Sequence, residues 1–125
     1  MENAKHDALM RRPDGLAEKV VVPVADMFET SDEFVLRLDM PGATKEAIHL
    51  NIEPDRLSVH GTVMPHHQEN ANLLFNEISR KKYLREFNLG DGIDRETIKA
   101  QYDDGVLTIL LPKTEAMKVR TIPIH

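Results

Sequence analysis

His66-His67-Gln68-Glu69 sets two imidazoles and a carboxylate within a few residues, a donor set that can hold a divalent metal. The neighbours are Gln68, Asn70 and Asn72, so the plainer reading is a hydrated loop. Asp103-Asp104 offers oxygen ligands for calcium, but none follow at the spacing of a calcium loop, and a tight turn accounts for the pair better. Arg85 stands in the alternating run Tyr83, Arg85, Phe87, Leu89, where a cation among apolar neighbours either binds an anion or pairs with a carboxylate. Ile122-Pro123-Ile124 does a different kind of work. A fixed-φ proline between two branched residues holds both side chains out of an extended peptide, a knob for a groove on another molecule. No glycine-rich phosphate loop, Ser-His-Asp ordering or helix-borne His-Glu pair is visible. The expectation is therefore no catalytic residue, no cofactor and no metal.

The bulk composition agrees with a binding protein. With 125 residues, 41% hydrophobic and 30% charged, the chain suits one soluble domain with a single core. A net charge of -5 gives no general attraction for phosphate backbones or anionic lipid, which argues against nucleic acid and membrane surfaces as partners. Without cysteine there is neither a disulfide framework nor a thiolate nucleophile. The first residues lack a signal-peptide layout, and no apolar run approaches the roughly 18 residues of a membrane helix, so a cytoplasmic location is expected.

The elements that must position these residues read as short strands. Ile98, Ala100 and Tyr102 alternate with Lys99 and Gln101, Asp103-Asp104-Gly105 turns the chain, and Val106 to Leu111 returns as a strand apolar enough for both faces to be covered. Phe34, Leu36, Leu38 and Met40 share one face of a strand that Pro41-Gly42 stops. Thr44 could cap a single helical turn ahead of Ile48, Leu50 and Ile52; Pro54-Asp55 then leads into Leu57 and Val59. Pro23 demotes Val20 to Val24 to an edge or an approach segment. Residues 64–77 form a long polar stretch around the apolar cluster Leu73-Leu74-Phe75, and so long a loop in a compact domain needs an external partner or disorder to explain it. About seven short strands without a long helix predict an all-β, immunoglobulin-like sandwich. The expected organisation is a mobile arm over 1–19, a sandwich over 20–113 and an extended tail over 114–125.

In this order the motifs resemble the small heat-shock proteins with their α-crystallin domain, of bacterial or archaeal type. Pro23 to Glu29 looks like the start of that domain, and Leu38-Asp39-Met40-Pro41-Gly42 like its D-x-P-G turn. Leu57-Ser58-Val59-His60-Gly61 is similar to the strand that follows, Tyr83 to Leu89 to F-x-R-x-F-x-L, Asp104 to Lys113 to the closing signature, and Ile122-Pro123-Ile124 to the I-x-I tail. The resemblance implies an ATP-independent holdase that binds unfolding polypeptides, with itself as its other partner in homodimers and higher oligomers. It implies strand exchange through Leu73, Leu74 and Phe75, and an Arg85 that pairs with a carboxylate across the dimer. Ile122 and Ile124 would dock between the 48–52 and 98–102 strands, with Leu50 and Ile52 as wall residues. Three departures stand out: Gly90 replaces a common proline, Asp104 a common asparagine, and no phenylalanine or tryptophan precedes Phe28. The competing reading is a β-sandwich adaptor of the co-chaperone kind, which would be a monomer.

Overall fold

A computed structural model of the chain describes residues 9–11, 17–63, 79–118 and 123–124. Among them nine strands form two sheets. The strands are β1 (Leu9–Arg11), β2 (Ala17–Val21), β3 (Ala25–Glu29), β4 (Glu33–Asp39), β5 (Ile48–Ile52), β6 (Arg56–Val63), β7 (Ser79–Asn88), β8 (Lys99–Asp103) and β9 (Val106–Pro112). One sheet runs β1-β2-β7-β6-β5 and the other β3-β4-β9-β8.

Alternation decides which side chains enter the core. Leu36 and Leu38 of β4 lie opposite Ile109 and Leu107 of β9, and these four are fully buried. From the other sheet Leu57, Val59 and Tyr83 join the same apolar cluster. The same cluster accounts for a difference from expectation in β9. Only Leu107, Ile109 and Leu111 are buried, while Val106, Thr108 and Leu110 are half-buried on the outer face, because no described element covers that side of the four-stranded sheet.

The β8–β9 hairpin turns on Asp104 and Gly105, whose φ angles of 50° and 79° are both positive. Asp103 pairs with Val106, so the loop is two residues long, and glycine supplies at its second position what a branched residue would strain to reach. The Gly105 carbonyl accepts the Met40 amide at 2.8 Å, which ties this turn to the end of β4.

Two local expectations change. Residues Lys45–Ala47 make a single 3-10 turn, but the Thr44 side chain forms no capping bond; its carbonyl accepts the Ala47 amide at 3.0 Å instead. The segment before Pro23 is not a simple edge. β2 lies between β1 and β7, parallel to the latter, and Pro23 falls after its end, where no ladder amide is needed. The boundary expected at residues 19 and 20 thus falls inside a strand. Leu73, Leu74, Phe75, Ile122 and the His66-His67-x-Glu69 group lie outside the described residues.

Candidate functional site: a groove between two edge strands

β5 and β8 are outer strands of their respective sheets, and they border a common hollow. Ile48 and Leu50 of β5 and Ala100 and Tyr102 of β8 line it over Leu107, with a volume of about 190 Å³; Lys45 and Gln101 complete the lining. The face of β8 that takes part is therefore the Ala100–Tyr102 face, whose residues pair across the ladder with Ile109 and Leu107. Leu50, a wall residue that the family resemblance implied, is among the residues that line the hollow. Ile52 does not line the hollow and is exposed, because it sits at the far end of β5 beside the Pro54 turn. Ile48, which the sequence reading did not name, takes its place.

Tyr102 is fixed rather than loose in this wall. Its hydroxyl donates to the Met40 carbonyl at 2.7 Å, and the Tyr83 hydroxyl donates to the next carbonyl, Pro41, at 2.8 Å. Both tyrosines therefore grip the Pro-Gly turn that ends β4. Desolvation raises the Tyr102 pKa above the usual tyrosine value, and proximity to Tyr83 raises it further. A raised pKa means that the folded state favours the neutral phenol, so its contribution is intact below the ordinary pKa of about 10 and fades as pH rises through the folded value. Tyr102→Phe is expected to cost about 0.5–1.5 kcal/mol at neutral pH through the lost hydrogen bond. The gap to the parent chain should narrow as pH rises above the ordinary value of about 10; urea unfolding at pH 7 and over an alkaline series measures the change.

Arg85 is placed on the inner face of β7, opposite Val59. Its Nη1 donates to the Pro23 carbonyl at 2.8 Å, and its guanidinium lies 5.2 Å from the centre of the Phe87 ring. Within its own chain the cation thus secures the link between β2 and β3. The other border of the four-stranded sheet is β3, which carries exposed Met27 and Phe28, with exposed Val24 just before it. An edge strand of this composition is an open template for another strand.

Pro123 and Ile124 are described, and the Ile124 side chain is 98% exposed in its own chain.

Two residues with clear structural work went unread in the sequence. Arg95 donates from Nε to the Pro54 carbonyl at 2.8 Å, from Nη1 to Ile93 at 2.8 Å, and from Nη2 to Leu89 and Gly90 at 3.2 and 3.1 Å and again to Pro54. It fastens the loop after β7 to the β5–β6 turn. Lys113 is buried, with its side chain only 3% exposed; its Nζ is 2.7 Å from Glu29 Oε2 and 5.0 Å from the centre of the Phe34 ring. The position of Lys113 after Pro112 was the only available signal, and it carried no hint of burial.

Among the described residues no group of three or more His, Cys, Asp or Glu side chains could hold a metal ion, and no helix is long and apolar enough to cross a membrane.

Comparison with known proteins bears on this geometry. The Hsp20/alpha crystallin family model matches residues 26–125. The chain is 32% identical over 111 residues to the 18 kDa antigen 2 of Mycobacterium avium, covering 89% of this chain and 79% of that protein. It is 34% identical over 115 residues to the 17.7 kDa class II heat shock protein of Arabidopsis thaliana, covering 87% and 74%. Among solved structures, a small heat-shock protein from Xylella fastidiosa superposes with a TM-score of 0.61 at 31% identity, covering 83% of this chain and 96% of that one. Heat shock protein 16.0 from Schizosaccharomyces pombe gives 0.66 at 25% identity, covering 84% and 99%. These relatives span bacteria, a plant and a yeast, so the likeness is not to a bacterial or archaeal type in particular. The fold is an all-β α-crystallin-like sandwich, and the chain belongs to the Hsp20/alpha crystallin family, a family of chaperones rather than enzymes.

Proposed function

We propose that this chain is an ATP-independent holdase of the cytoplasm, which binds unfolding polypeptides and keeps them from aggregating. Its parts are an N-terminal arm that ends before β2, a sandwich from β2 to residue 113, and a tail over 114–125. Copies pair into dimers when Leu73, Leu74 and Phe75 of one chain add a strand to the β3 edge of another, with Arg85 close to the β2–β3 junction at that border. Dimers join when Ile122 and Ile124 of one chain enter the β5–β8 groove of the next, against Ile48, Leu50, Ala100 and Tyr102. Neither nucleic acid nor membrane is a partner.

The observation that carries this reading is the pairing of an apolar groove between two sheet borders with an isoleucine, Ile124, that is almost wholly exposed on the same chain. A tail joined to the domain by a short segment meets the groove of a neighbour at high effective concentration, so weak single contacts hold an assembly that still exchanges. Exchange uncovers apolar surface for clients.

The test is light scattering from a client protein denatured by heat. Added at equimolar subunits without ATP, the chain is expected to lower the scattering at least about twofold, as binding in proportion to exposed client surface requires. Unchanged scattering at molar excess would overturn the holdase reading, and a concentration-independent monomer would favour an adaptor.

A further inference from the structure

The groove uses one border of the sandwich, and a second apolar hollow of about 210 Å³ lies elsewhere, lined by Phe34, Phe87, Leu89, Ile93 and Met117 among others. Met117 closes the 3-10 turn Glu115–Met117, the last described element of the chain, at the root of the tail. Its side chain lies directly over Gly92: a Cβ built on that glycine would sit 2.0 Å from Met117 Cγ and 2.7 Å from Sδ. Only a residue without a side chain allows this contact. The backbone closes around the same point, since the Thr114 amide donates to the Gly92 carbonyl and the Met117 amide to Thr114, both at 2.9 Å. Yet Met117 remains 49% exposed, whereas Met40 is fully buried.

We propose that Met117 is a modification site, a thioether clasp that fixes the root of the tail and that peroxide opens. A sulfur lone pair attacks one oxygen of hydrogen peroxide; the sulfur–oxygen bond forms as the O–O bond breaks, and the other oxygen leaves as water. Sulfur loses two electrons and peroxide gains them. The sulfoxide is polar, so it no longer suits an apolar hollow and leaves Gly92, and the turn that depends on it opens. Opening the root is independent of how the tail is used; any change in assembly that follows rests on the docking function proposed above.

The test oxidises the full chain with hydrogen peroxide, reads the sulfoxide by mass spectrometry, and follows amide exchange at Thr114 and Met117. Exchange at both amides is expected to accelerate about tenfold once Met117 is oxidised, and to stay unchanged under peroxide in Met117→Leu, which keeps a similar apolar side chain. Gly92→Ala, which displaces the side chain by contact alone, should show the faster exchange without peroxide. Full oxidation of Met117 with unchanged exchange, equal acceleration in Met117→Leu, or a Met117 that stays reduced while exposed Met27 is oxidised would each overturn the proposal. If exchange accelerates and the assembly mass does not move, the clasp stands, and docking is decided by the tail variants alone.

Discussion

Replacing both isoleucines of the tail, Ile122→Ala with Ile124→Ala, is expected to reduce the assembly to dimers as measured by light scattering coupled to size exclusion. Burying two isoleucines contributes roughly 3–6 kcal/mol gross, from which ordering of the tail and loss of association entropy must be subtracted. One tail in one groove is therefore a weak contact, and an assembly persists only through several at once. Shortening both side chains removes most of the apolar area at every contact together. The loss is cooperative, so the mass should fall in one step rather than by degrees. The dimer should survive, because its proposed contact uses the β3 edge and residues 73–75. An unchanged mass in the double variant would remove tail docking from the account.

The second large effect concerns Lys113 and Glu29, and it is asymmetric. The Lys113 side chain is 3% exposed while that of Glu29 is 61% exposed, although the two share a bond of 2.7 Å. Glu29→Ala leaves a buried ammonium beside the Phe34 ring without its carboxylate, and a buried charge without its partner is costly. The open side of the pair lets water return, so a loss of about 2 kcal/mol is expected, below the range for fully buried pairs. Lys113→Met keeps the stem, removes the charge and leaves a carboxylate that water can solvate. Its cost should stay under about 1 kcal/mol. Urea midpoints of the two variants measure the difference, and equal losses would show that the pair is not anchored in the way its exposures imply.

The strands around the groove were legible in the sequence because their signals are local. Asp104-Gly105 demands positive φ in a two-residue turn, and the alternation of Leu36 with Leu38 and of Leu57 with Val59 marks the inner face without reference to the rest of the chain. Pieces that depend on distant backbone were not legible. β2 pairs in parallel with β7, a strand far along the chain, and its own residues carry no mark of that partner. Arg95 serves carbonyls of four residues in two segments, and no sequence pattern records which carbonyls lack a donor. Ile52 and Ile48 have equal claims on period-two grounds; what separates them is that Ile48 lines the hollow while Ile52 is exposed outside it. Lys113 after a proline at a strand end reads as a surface lysine, yet it is buried against Glu29 and Phe34 of the neighbouring strands.

The account rests on the tail of one copy entering the groove of another, and the absence of cysteine from the chain gives this a direct measurement. Leu50→Cys is prepared in one batch and Ile124→Cys in another, the two are mixed under assembly conditions, and a mild oxidant is added before denaturing electrophoresis. The account predicts a disulfide joining one chain of each kind, at a yield that falls when unlabelled parent chain is added as competitor. A mixture that yields only self-paired species, or no cross-link at concentrations where the assembly is present, would contradict it.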